Sequence, residues 1–189
     1  MSTLTGLGAG DALLTHCHTP CGRLIQWLSG YWDHIVILAP HPKSGRLCVY
    51  EAAIRERNCL VRHRRIVGFR CRPLKGWIKE QQAAGCEVWH QWWRGPLIDL
   101  ELGRNLASWC GTPYDPVGAF HARSIFWPSW AIPPKEDASS LFCSESVAIA
   151  WNSLGLKIGN TAAYSPTALA NLAVRAGFAK KPYKLGVGR

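Results

Sequence analysis

Phe142-Cys143-Ser144-Glu145-Ser146-Val147-Ala148-Ile149-Ala150-Trp151-Asn152-Ser153-Leu154-Gly155 is the stretch on which the reading of the fold turns. Val147, Ala148, Trp151 and Leu154 recur at helical spacing, and Gly155 supplies a stop. Ser139 or Ser140 offers a cap upstream, so the pattern predicts a helix over 143–154. Cys143 then stands at the head of that helix. The unpaired N–H groups and the dipole of a helix start favour an anion, and a thiol there ionises more readily, as a sulfur nucleophile must. The plain alternative is a buried structural thiol, the common fate of a cysteine.

A nucleophilic thiol needs a base. His34 opens the apolar, β-branched run 34–38, which reads as a buried strand. The segment 40–45 reads as a turn and 46–53 as the returning strand, so an antiparallel hairpin is expected. Such a hairpin brings Glu51 toward His34, where a carboxylate can accept the second imidazole N–H, fix the tautomer and stabilise the imidazolium. Taken singly, His34 also reads as a satisfied core histidine, and Glu51 as a solvated acid on a strand face. Glu51→Gln is then expected to keep the shape and spoil the tautomer. His121 is a rival base with a less rigid setting beside Ala119 and Phe120.

The remaining elements follow from punctuation. Short strand 12–15 follows the turn at 8–11; a helix over 22–28 ends at Ser29-Gly30; 99–110 is helical up to Gly111. Residues 76–94, with Trp77, Trp89, Trp92 and Trp93, read as a Trp-rich helical stretch. The loop 127–134 carries three prolines and is too restricted for a regular element. Pro166 suits the first turn of a last helix ending near Gly177. No repeat or linker divides the 189 residues, so a single α+β domain is expected, with a basic, Trp-rich insert at 55–94.

Nine Lys/Arg between 55 and 79 and a net charge of +10 point to anionic partners. The bland account is a solvated basic face; the functional one is a nucleic-acid or anionic-polymer surface, with basic residues on phosphates and aromatics on bases. No recognised nucleic-acid motif accompanies the charge. No apolar run approaches a bilayer span, and residues 1–10 are no secretory signal, which predicts cytoplasmic synthesis, with delivery by a phage particle or a secretion machine as the alternative. The eight cysteines are scattered and read as thiols rather than a disulfide framework. The cluster His16-Cys17-His18-Thr19-Pro20-Cys21 lacks a second ligand pair at matching spacing, so no metal or other cofactor is assigned.

In chain order, Gly10-Asp11-Ala12-Leu13-Leu14, His34-Ile35-Val36-Ile37, Tyr50-Glu51-Ala52 and Phe142-Cys143-Ser144-Glu145 resemble the circularly permuted branch of the NlpC-type, papain-like cysteine peptidases, in particular its YiiX-like group. Gly111-Thr112-Pro113-Tyr114 is similar to the Gly-x-Pro-Tyr segment before the nucleophile in NlpC-type domains, and Tyr164-Ser165-Pro166 to the start of the closing helix. The likeness runs from about residue 8 to about residue 178. It implies a permuted papain-like fold, an antiparallel sheet packed against helices. It also implies Cys143 as nucleophile, His34 as base, Glu51 as orienting acid, and Tyr114 near the oxyanion or the substrate. The expected activity is hydrolysis of an amide in a peptide or peptidoglycan stem peptide. Related lecithin–retinol acyltransferases make acyl transfer or lipid-ester hydrolysis the second expectation, and a non-enzymatic nucleic-acid or anionic-polymer binder is the third.

Overall fold

Short apolar runs become strands and amphipathic ones cover them. In this computed structural model, which describes residues 6–96, 99–123 and 139–186, the strands are β1 (Ala12–Cys17), β2 (His34–Pro40), β3 (Leu47–Cys59), β4 (Arg64–Pro73), β5 (Cys86–Gln91) and β6 (Tyr183–Lys184). The helices are α1 (Pro20–Ser29), α2 (Leu74–Ala83), α3 (Asp99–Trp109), α4 (Pro116–Arg123), α5 (Cys143–Ser153) and α6 (Pro166–Arg175). The strands form one antiparallel sheet in the order β4-β3-β2-β1-β5-β6. The sheet packed against a helix that begins at Cys143 is as the sequence predicts.

Alternation along β2 sorts the two faces. Ile35, Ile37 and Ala39 join the larger core with Tyr50, Phe69, Leu106, Val147, Trp151 and Leu169, so α3, α5 and α6 cover that face. Val36 and Leu38 point the other way, onto Leu13, Val49 and Trp77, where α2 lies. Each fully buried side chain of this size contributes about 1.5–3 kcal/mol. Ser165 caps α6 by accepting from the Ala168 N–H, with Pro166 in the first turn.

Three expectations are corrected. The return strand runs past Ala53 to Cys59, with an irregularity between Ala53 and Arg57. The stretch 76–94 is not one helix: α2 stops at Ala83, Gly85 adopts φ +77, and β5 follows. Within 55–94, β4 and β5 pair with β3 and β1 in the same sheet. Cys17 and Cys86, directly opposite each other on β1 and β5, form a disulfide; Cys48, Cys59, Cys71, Cys110 and Cys143 are free. The loop 127–134 and the side chains of Cys21 and His121 lie outside the described residues.

The segment 111–114 docks on the edge strand. The Phe69 N–H donates to Thr112 O (2.8 Å) and the Gly111 N–H to Phe69 O (2.9 Å). Gly68 permits this approach: its φ is +107, and a Cβ there would lie 2.1 Å from Thr112 O. Gly68→Ala combines left-handed strain with a backbone clash and is expected to cost about 3 kcal/mol, measured by urea unfolding. A loss below about 0.5 kcal/mol would show that the close approach is dispensable.

Candidate active site

Cys143 is the first residue of α5 and is wholly buried. The N-cap position falls to Phe142, in extended conformation, rather than to Ser139 or Ser140, and the Glu145 carboxylate reaches back to accept from the Phe142 N–H (3.4 Å). The Ser144 hydroxyl donates to Tyr164 O (2.7 Å) and the Ser146 hydroxyl to Cys143 O (2.8 Å), so polar ties hold this first turn.

The paired registers of β2 and β3 run only from Pro40–Leu47 to Ile37–Tyr50. Beyond that, residues 34–36 pair with β1 and residues 51–53 with β4, and the two strands part. At this end of the sheet, His34 hydrogen-bonds both Cys143 and Glu51. Its Nε2 lies 3.4 Å from Glu51 Oε2, and about one-fifth of its side chain is exposed. That distance is long for a hydrogen bond, as is common in sites without substrate.

Glu51 is not a solvated strand-face acid, because only 2% of its side chain is exposed. Its Oε1 accepts from Arg70 Nε (2.9 Å), Arg70 Nη2 (2.7 Å) and Arg72 Nη1 (3.3 Å). Its Oε2 accepts from Trp77 Nε1 (2.7 Å), which leaves one direction for His34. Arg72 also pairs with Glu80, and Arg57 Nε donates to Glu80 Oε1 (2.9 Å). Part of the supposed basic face is therefore interior: Arg70 and Arg72 are buried and committed to Glu51. The composition of 55–79 signalled charge without its destination; the Glu51–Arg70 register supplies it.

The electrostatics follow from these partners. Burial, the largest influence on Glu51, would raise its pKa; the hydrogen bond to His34 and the Arg70, His34 and Arg72 charges outweigh it and hold the carboxyl well below its usual range. Burial would likewise lower His34, but hydrogen bonds and charge interactions with Cys143 and Glu51 prevail and raise it from 6.5 to about 10. A cationic imidazole is thus favoured beside Cys143 and the Glu51 carboxylate.

Tyr114 forms an isolated parallel bridge with Leu141, two residues before Cys143, flanked by Asp115 N–H to Leu141 O (3.0 Å) and Leu141 N–H to Pro113 O (2.9 Å). Its ring is partly buried against Phe142 and Ala119. The sequence reading missed Arg70, Arg72 and Trp77, whose only signal was that a buried acid would require donors.

No protein-family model matches the chain, and no curated protein matches it. Among solved structures, that of the metalloprotein yiiX from Escherichia coli O157:H7 aligns over 95% of this chain and 97% of its own, with a TM-score of 0.58 and 14% identity. At that identity the likeness concerns the fold: the mixed α/β architecture with its six-stranded antiparallel sheet fits that of the YiiX protein, a distant relationship.

Proposed function

We propose that this protein is a cysteine hydrolase of permuted papain-like fold that cleaves an amide bond in a peptide or a peptidoglycan stem peptide. The observation that carries the reading is one imidazole hydrogen-bonded both to a thiol at a helix head and to a carboxylate locked by two arginines. The Cys143 thiolate adds to the carbonyl carbon, and the α5 N-terminus with the Cys143 backbone N–H faces the developing oxyanion. Protonated His34 gives its proton to the departing amine as the C–N bond breaks, leaving a thioester. Water then adds, His34 takes its proton, and the C–S bond breaks to release the acid and restore the thiolate. Glu51 keeps the imidazole oriented and cationic, and Tyr114 is the candidate contact to the oxyanion or the substrate.

Hydrolysis or transfer of a lipid acyl ester is the second reading. It uses the same steps with an oxygen leaving group, and exposed apolar side chains on α1 and α4 favour it. The YiiX neighbour is described as a metalloprotein; among the described residues of this chain no group of three His, Cys, Asp or Glu is arranged to hold a metal.

Trapping the thioester tests the proposal. Peptide p-nitroanilides and p-nitrophenyl acyl esters are each mixed with the protein, quenched in acid, and the intact mass is measured. An acyl adduct mapping to Cys143 is expected, with turnover lost in Cys143→Ala. Wild-type turnover in Cys143→Ala would overturn the reading.

A further inference from the structure

The apolar side chains that remain in water are not spread evenly over the molecule. Of the ten large exposed hydrophobics among the described residues, seven lie on segments at the end of the sheet that carries His34 and Cys143, Tyr31 in the α1–β2 loop among them. The topology fixes this placement. Helix α1 joins the last residue of β1 to the start of β2, and it exposes Leu24 and Trp27 one turn apart. Ile54 and Val67 lie just beyond Ala53–Gly68, the last pair of β3 and β4 before the irregularity, on the side of Glu51 away from the Pro40–Leu47 turn. Helix α4 starts two residues after Tyr114, contacts α1, and exposes Val117 and Phe120. The other three, Trp92, Leu100 and Tyr183, belong to the opposite half. Monomeric proteins seldom leave such a concentration in water without use.

Charge is distributed to match. Arg23 stands beside Leu24, Arg55 beside Ile54, and Arg64 near Val67, all exposed. Glu56, the exposed acid of the β3–β4 hairpin, is neutralised by Arg65 at 3.1 Å. Exposed apolar side chains with exposed arginines on the same elements fit the interface of an anionic bilayer, where apolar groups enter the acyl boundary and guanidiniums meet phosphates. A soluble polyanion would use the arginines and leave the Leu, Ile and Val idle. No helix among the described residues is long and apolar enough to cross a membrane, so the contact is one of lying on the surface.

We propose that this end of the protein docks on an anionic phospholipid surface through α1, α4 and the β3–β4 bend, presenting the His34–Cys143 site to the membrane. The partner is the lipid headgroup layer and the outer part of its acyl chains.

Vesicle co-sedimentation tests this with phosphatidylcholine vesicles, alone or containing about 30% phosphatidylglycerol. Binding is read on the Cys143→Ala protein, so its outcome is independent of the thiol chemistry. Binding to the anionic vesicles is expected, with release at about 1 M salt, where the Debye length falls to about 3 Å. Leu24→Gln/Ile54→Gln/Val117→Gln should weaken it at least about tenfold without lowering the melting temperature. Should the triple variant misfold, Arg23→Glu/Arg55→Glu takes its place with the same expectation. No binding to anionic vesicles, or binding that the folded variant leaves unchanged, overturns the proposal. Equal affinity for double-stranded DNA, also insensitive to the apolar substitutions, would reassign the face to soluble polyanions and overturn it as well.

Discussion

Alkylation of Cys143 by iodoacetamide is expected to stay fast down to about pH 6, whereas an ordinary thiol with a pKa of about 8.5 slows about tenfold per pH unit below that value. The reason is the partner. His34 is raised from 6.5 to about 10 by its contacts with Cys143 and Glu51, so across neutral pH the imidazole is a cation beside the sulfur. His34→Ala removes that cation and leaves only the helix dipole, and the rate at pH 6 should fall about 100-fold. Hydrolysis adds an alkaline limit: once His34 loses its proton, near pH 10, the leaving group has no donor and turnover falls. Cys59 is an internal control. Its thiol is lowered to about 5 by a hydrogen bond from Cys110, in a pair independent of His34. Peptide mapping should therefore show Cys143 labelling change in His34→Ala while Cys59 labelling does not. Identical Cys143 profiles in the two proteins would mean that no ion pair exists.

Much of this arrangement was legible because burial writes itself as periodicity. The run 34–38 and the helix from Cys143 are deeply buried elements, and both appeared where the apolar pattern put them. The closing helix at Pro166 was announced by its Ser-Pro start and its Gly stop. What failed was the reading of tryptophans. Trp77 belongs to a helix and Trp89 to a strand; the buried–half-buried alternation from Cys86 to His90, with the strand-favouring Val88 and Trp89, was the signal that marked β5. The Cys17–Cys86 disulfide spans 69 residues, and nothing local connects its ends until β5 is seen to lie beside β1. Glu51 is the instructive case. Sequence pattern placed it near His34 through the hairpin, yet its solvated alternative fails because Arg70 comes from a strand that the pattern had treated as basic surface.

That burial changes what Glu51→Gln should do. The substitution was expected to keep the shape, but the amide would leave Arg70 and Arg72 facing a buried position without their anion. A buried pair broken from one side costs about 3–5 kcal/mol, so a large fall in melting temperature is expected along with the loss of activity. Glu51 is also depressed below its usual 4.5, so its contribution is in place above that pH and is lost as the pH falls through it toward the depressed value. Stability and catalysis must therefore be separated. Glu51→Gln/Arg70→Met removes both charges, and it should recover part of the lost stability because no unpaired guanidinium remains at that position. It should not recover function: His34 still lacks the carboxylate that fixes its tautomer, and kcat/KM should stay lower by about 10³–10⁴. Adding His34→Ala should cost little more, since members of one catalytic unit are not additive. The measurements are the melting temperature and kcat/KM, or the pH 6 alkylation rate of Cys143, for the single and combined variants. If reactivity returned in step with stability in Glu51→Gln/Arg70→Met, Glu51 would be a strut of the sheet and not a member of the site.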